Sequence, residues 1–426
     1  MNKSLYIVAF SLAFATTGIA QNNEGQDKTV DLGTQTTTEL RKTQAVSTIY
    51  SDELDKNATT SPYNAIYGLL PGLTVMQNTS WGTDKSRLNV RGRGSLNGDT
   101  PLFVVDGFAR PIEYINLSEI ESISVLKDGA ATALWGGRGA NGVVLITTKR
   151  GMYSKKEIKV DYKFGLGLPV NQPEFADAYT YAKARNEALR YDGLQPDMDE
   201  ASFLAGGNSD LYPNVDWQKE ALRNHTTSHQ LDITFRGGGK RLRYFSVLNY
   251  KNDMGLLNSK YTDYTDRYNS QMKKYFLNLR MNLDVDITDA TKLKLNMLGM
   301  LRETKRPTTS EATLFEQIFN TPSAAFPVQT QNGLWGSNNV LKTNPIANLA
   351  DVGYYKLNQR MLQADLRLIQ DLSVLTRGLS AELAIAYDNN ATYQETAKKS
   401  FMYQTIEKGT DGEPVYTNYG NPNDEL

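Results

Sequence analysis

Residues 277–287 read LNLRMNLDVDI, with Leu277, Leu279, Met281, Leu283, Val285 and Ile287 on one face of an extended chain and Asn278, Arg280, Asn282, Asp284 and Asp286 on the other. A globular strand averages about 5 to 6 residues, whereas a tilted strand that crosses a bilayer needs about 9 to 11. This stretch is long enough to cross. Around it the alternation recurs at Ile158, Val160, Tyr162, Phe164 and Leu166, and less cleanly near 229–236, 241–250, 292–302, 357–371 and 378–396, giving seven strands. Their connections alternate in length, with "RGGGK", "TDAT" and a turn near "VLTRG" taking turns with excursions of tens of residues. Tight turns on one rim and long loops on the other fit an outer-membrane barrel better than a soluble sandwich. An Arg or Lys at the bilayer midplane costs about 2 to 4 kcal/mol, so Lys159, Lys163 and Arg280 are expected to face the lumen and the Leu/Met/Val/Ile rows the lipid.

Upstream the texture changes. Between Thr43 and Gly151 lie short β-rich runs, "AVSTIY", "LTVMQ", "RLNVRG", "PLFVVDG", "SISVLKD" and "GVVLITTK", punctuated by Gly and Pro. One short helix is expected from Ser61-Pro62 to about Leu70 and another over Ala130–Trp135, which makes residues 43–151 a compact α+β domain. Residues 21–42 are polar and read as a flexible leader. Residues 1–20 read as a cleaved signal peptide, with Lys3, the apolar run Leu5–Ala15 and a small-residue site before Gln21. Residues 152–426 are expected to hold the barrel strands and their long loops. The 46 basic and 47 acidic residues balance to a net charge of −1, which removes the electrostatic case for nucleic-acid binding. Absence of cysteine excludes disulfides, thiolate metal sites and a lipobox. Tyrosine, at 24, exceeds phenylalanine at 14, as suits rings at a half-wet boundary.

The catalytic motifs are absent or out of context. Gly137, Gly139 and Gly142 satisfy GxGxxG, but they run into "VVLITTK" instead of opening a helix, so they read as a glycine turn and no cofactor is expected. His225 and His229 lack an acidic third ligand at motif spacing, and no metal is expected. Glu119 and Glu121 share a face if the chain there is extended, and read as a solvated rim. Neither GxSxG nor HExxH occurs, so an enzyme is not expected.

"LNVRGRGSLNGDTPLFVVDGF" (88–108) and "EIESISVLKDGAATALWGGRGANGVVLITTKRG" (119–151) resemble the plug domain of TonB-linked outer-membrane transporters of the SusC/RagA, or starch-utilisation, type. The resemblance continues through "YPNVDWQKEALRN" (212–224), "GGGKRLRYFSVLNYKNDMGLLNSKY" (237–261) and "NPIANLADVGYY" from Asn344. It implies an α+β plug domain followed by an antiparallel transmembrane β-barrel, and it places the plug motif on Arg91, Gly92, Asp106, Gly107, Lys127, Asp128, Gly139, Asn141 and Gly142. Implied partners are TonB, a SusD-like surface lipoprotein and an oligosaccharide or peptide ligand, at the outer membrane of a Gram-negative cell. Thr29, Val30, Asp31, Leu32 and Gly33 stand where such proteins carry a TonB box. An extended leader peptide of this kind can add to an exposed sheet edge. Barrels of this family have about 22 strands, so the seven here are expected to form an incomplete barrel, because closure at this spacing would take roughly 750 residues after the plug. The expected function is therefore TonB-dependent uptake by a receptor present as a truncated N-terminal portion. The alternative is a non-transporting plug or binding module, or an inactive gene fragment.

Overall fold

The computed structural model describes residues 43–421 apart from 55, 57–58, 60, 78–85, 95–97, 154–155, 171, 207 and 264–267, together with 10–11, 29–31 and 36–38. The expected signal cleavage site and two residues of the TonB-box candidate, Leu32 and Gly33, lie outside the described residues.

The N-terminal unit is built on a five-stranded sheet in the order Val46–Tyr50, Ile120–Leu126, Val143–Thr148, Leu102–Val105, Phe108–Ala109. Only the contact between Val143–Thr148 and Leu102–Val105 is parallel. Both faces of this sheet are covered, so its strands are apolar at successive positions instead of alternating. Val144 and Ile146 point into a core with Ile49, Leu54, Tyr63, Ile66, Leu88, Ile112 and Ile123. Val143 and Leu145 point the other way, to Val46, Val104, Leu126 and Ala131. The two expected helices are present but short. Pro62–Ala65 follows Ser61, with proline at its start, and Gly129–Thr132 passes into a 3-10 turn over Ala133–Gly139.

The second half carries seven long strands: β1 (Glu157–Gly167), β2 (Thr226–Gly238), β3 (Leu242–Met254), β4 (Lys273–Asp286), β5 (Thr291–Pro307), β6 (Gly353–Asp371) and β7 (Ser380–Lys398). They pair in chain order and antiparallel throughout. Lengths run from 11 to 19 residues, enough to cross a bilayer and continue beyond it. The sheet is open. A two-residue strand, Phe10–Ser11, meets the edge of β1, and β7 is the other edge.

The faces fall as the charge argument requires. Ile158, Val160, Leu277 and Leu279 are exposed on the outer side, whereas Asn278, Arg280, Asn282 and Asp284 are buried on the inner side. What buries them is the N-terminal domain, seated against the inner face of the sheet. The structure adds one thing the alternation could not foretell: the long connections share a core of their own. Trp217, Leu222, Leu257, Met272, Leu314, Ile318, Phe326, Trp335 and Ile346 pack together above the strands. These residues come from the helices Trp217–Ala221, Glu311–Asn320 and Pro345–Ala350, from the segments around them, and, for Leu257 and Met272, from the connection between β3 and β4.

Candidate functional site

The site is the contact between plug and wall, and it is polar. At its centre lies Glu119. The Asn116 side chain accepts from the Ser118 amide while the Glu119 carboxylate accepts from the Asn116 amide (3.2 Å), so the Leu117–Glu119 turn holds that carboxylate in a fixed direction. On the wall, alternation puts Asn278 and Arg280 on the same face of β4. The Arg280 Nε donates to Glu119 Oε2 at 2.6 Å and the Asn278 amide to Oε1 at 2.5 Å, with both members of the ion pair closed off from solvent. Burial pushes the Glu119 carboxyl up and Arg280 pulls it back only in part, leaving it above the ordinary carboxylate range. The expectation of a solvated rim therefore fails at Glu119. It holds for Glu121, which is half-exposed and 3.8 Å from Arg236.

Other contacts extend this interface. Asn249 donates to Ser118 Oγ (2.8 Å) and to Asp232 (2.9 Å). Asn282 donates to Thr148 Oγ1 and to the Lys149 carbonyl, each at 2.8 Å. Arg110 is nearly fully buried, 2.6 Å from Asp365 and 2.8 Å from Asp388. Arg302 donates to the Glu113 carbonyl at 2.6 Å and sits over the rings of Tyr114 and Phe276. Beside them Tyr114, Leu298, Met300 and Met361 form a small apolar cluster between plug and wall.

The plug-motif residues hold this arrangement in shape. Asp106, with φ +48°, accepts from the Thr148 amide (3.0 Å) and hydroxyl (2.6 Å), while its own carbonyl accepts from Arg367 of the wall (3.0 Å). Gly107 follows with φ +92°, and a Cβ there would lie 2.6 Å from Arg367. Asp128 caps the Gly129–Thr132 turn through the Ala131 amide (2.8 Å) and accepts from the Ala45 amide (2.9 Å), contacts that hold its carboxyl below the ordinary range. Lys127 donates to Ser47 Oγ (2.6 Å) and the Pro71 carbonyl (3.0 Å). Asn141 donates to the Gly98 carbonyl (3.2 Å). Gly139 packs on Thr132 and Trp135, and Gly142 at φ +88° lets Val90 approach. Arg91 and Gly92 form an exposed turn with φ +59° and +86°. The glycines thus make turns and close contacts, as their lead into a strand implies. His229 lies on the outer face against Phe164, its Nδ1 2.7 Å from the Tyr162 hydroxyl, and His225 is exposed.

Of the TonB-box candidate, Thr29–Asp31 pairs antiparallel with Thr36–Thr38. The Val30 side chain is fully buried in the cluster of Val46, Val104, Leu126 and Val143. The expected flexible leader is, at Val30, packed onto the plug.

An α+β domain docked by buried ion pairs on the inner face of membrane-length antiparallel strands has the architecture of a plug seated against part of a barrel wall. Comparison with known proteins agrees. Residues 38–143 match the TonB-dependent Receptor Plug Domain family. TonB-dependent receptor P26 of Formosa agariphila is 28% identical over 281 residues, covering 64% of this chain and 26% of that protein. TonB-dependent receptor SusC of Bacteroides thetaiotaomicron is 30% identical over 255 residues, covering 56% and 24%. In fold, the RagAB peptide importer in its open-open state superposes with a TM-score of 0.68 at 20% identity, covering 88% of this chain and 43% of that one. Residues 38–143 thus match a TonB-dependent receptor plug domain, the chain as a whole is similar to receptors of the SusC/RagA type, and it spans about a quarter of the length of the curated relatives it matches.

Proposed function

We propose that this chain is part of an outer-membrane receptor of a Gram-negative cell that imports an oligosaccharide or peptide by TonB-driven displacement of the plug. A SusD-like surface lipoprotein would meet the packed outer loops. The observation that carries this reading is the relation between leader and latch. Val30 packs on Leu126 and Val143, which pair with each other, while the opposite ends of those two strands pair Ile120 with Thr148. Next to those far ends are the wall contacts Glu119–Arg280 and Thr148–Asn282. Force applied to the leader at one end of the two strands therefore loads the polar latches at the other. The related importer is described as carrying peptides, which supports a polymeric nutrient over a small ion.

The absence of native cysteine makes the coupling directly testable. Single variants such as Val30→Cys across positions 29–33, produced from the natural gene context, should cross-link in intact cells to a cysteine placed in TonB. The adduct should increase when ligand is supplied. Lack of an adduct at every one of these positions, with the protein present in the outer membrane, would overturn coupling through this segment.

A further inference from the structure

On the outer face of the wall, at the end of the strands that carries the long connections, three lysines stand side by side. Lys273 of β4 pairs with Lys305 of β5, and Lys305 with Lys356 of β6. Each shares its face with the exposed apolar row, since Lys273, Tyr275, Leu277 and Leu279 are successive same-side positions. Like charges directly opposite one another in a sheet are destabilising. Glu303, one row nearer the apolar band, relieves this in part and is shared by Lys305 (3.3 Å) and Lys356 (3.4 Å). The next residue along the lysine row, Glu395, accepts from the Tyr354 hydroxyl. Arg360 adds a further cation two rows down, over the Tyr393 ring. The patch is left with more positive than negative charge.

Its height matters. From Val285 to Leu277 the outer face is apolar for eight residue steps, about 20 Å along the membrane normal for a tilted strand. Four more steps place the lysine row about 10 Å above Leu277, at the level of headgroups instead of hydrocarbon. Immediately below it runs a surface groove of about 380 Å³ that includes Tyr250, Tyr275, Leu277, Leu301, Glu303 and Arg360. Leu277 and Leu301 are 40% and 51% exposed in it, so the groove is open to an acyl chain.

We infer that the Lys273–Lys305–Lys356 row and the groove beneath it bind a phosphate-bearing lipid of the outer leaflet, phosphate on the lysines and acyl chain against Leu277 and Leu301. The inference rests on the outer-membrane reading above. A phosphate oxygen bridging lysines spaced one strand apart removes the cross-strand repulsion that Glu303 meets only partly.

The test compares the full chain with K273Q/K305Q/K356Q, and with K294Q, which changes a lysine on the inner face of β5. All are presented to vesicles of phosphatidylcholine alone or with phosphatidic acid, then extracted for native mass spectrometry. The wild type and K294Q should retain phosphatidic acid over phosphatidylcholine. Each outer lysine neutralised should lower that preference about fivefold. Inorganic phosphate alone should not displace the lipid, since it cannot fill the groove; displacement by phosphate would overturn the acyl-chain part of the inference. Insertion without preference, or a self-associated chain with no lipid, would overturn the lysine row and leave the membrane reading intact. Failure to associate with either vesicle would overturn both.

Discussion

The Glu119 carboxylate of the plug lies 2.6 Å from the Arg280 Nε of the wall, across 161 residues of sequence and with neither side chain reaching solvent. A buried pair of this kind contributes little net stability over an apolar substitute, but removing one partner strands the other charge, at about 3 to 5 kcal/mol. Glu119→Ala should therefore weaken plug docking by about that amount and make the plug more sensitive to protease in isolated outer membranes. Glu119→Gln, whose carbonyl still accepts from Arg280 or Asn278, should cost less. The pair E119L/R280M should recover most of the loss. Equal protease sensitivity of E119A and wild type would mean that the pair does not hold the plug.

The glycines of "GGRGANG" separate a dinucleotide cradle from a structural turn. Gly142 has φ +88°, and a Cβ there would lie 2.8 Å from Val90, so Gly142→Ala combines backbone strain with a clash. Its expected cost is about 1 to 3 kcal/mol. At Gly137 nothing lies within 4 Å and φ is not positive, so Gly137→Ala should change stability by less than about 0.5 kcal/mol. Thermal unfolding of the full chain distinguishes the two. If both variants lose stability alike, Gly142 is not special.

The outer-loop helices should be acid-sensitive. Helices Ala178–Tyr191, Glu200–Ala205 and Trp217–Ala221 are each capped by an aspartate, Asp177, Asp199 and Asp216. The Thr180 amide holds Asp177 below the ordinary carboxylate range, and Ser202 does the same for Asp199. Partial burial pushes Asp216 up, but hydrogen bonds from Lys219 outweigh it and the group ends below its usual value. A carboxyl depressed in the folded state contributes stability that is present above its unfolded value and lost as pH falls through the folded one. The helical far-UV signal should thus decline below about pH 4. The triple variant D177N/D199N/D216N keeps the capping oxygens without a titrating group, so it should flatten that decline. An unchanged acid profile in the triple variant would place the sensitivity elsewhere.

Much of this architecture was readable because bilayer and lumen impose opposite demands on alternate residues. Leu277 and Leu279 against Asn278 and Arg280 fixed the strand and which of its faces meets lipid. The same pattern says nothing about what fills the lumen. Glu119 therefore read as solvent-facing, when the Leu117–Glu119 turn takes it off the extended face shared with Glu121 and aims it at β4. Nor did alternation reach the outer loops. Trp217, Phe326 and Trp335 come from segments with no common period, and only tertiary contact brings them into one core. A signal was present nonetheless, in the cap chemistry of "YPNVDW" (212–217), where Asp216 stands ahead of Trp217, and in Asn344-Pro345, where Asn344 accepts from the Ile346 and Ala347 amides. At Val30 a polar leader concealed a single apolar residue that the plug sheet buries.

The two faces of β4 give the sharpest contrast. Leu279 is 51% exposed on the outer face near the middle of the apolar band, so Leu279→Arg would place a cation in hydrocarbon at about 2 to 4 kcal/mol. Asn278, one residue away, is fully buried against the plug. Asn278→Leu would suit lipid but faces the lumen, where it removes a donor from Glu119 and leaves a buried oxygen with one partner fewer. Both variants should be impaired, by different routes. L279R should reduce the amount of folded, heat-modifiable protein recovered from membranes while leaving the plug of the remaining protein protease-resistant. N278L should insert normally and show a loosened plug. If L279R inserted as well as wild type, the outer face of β4 would not meet lipid, and the inward and outward assignment of all seven strands would have to be reversed.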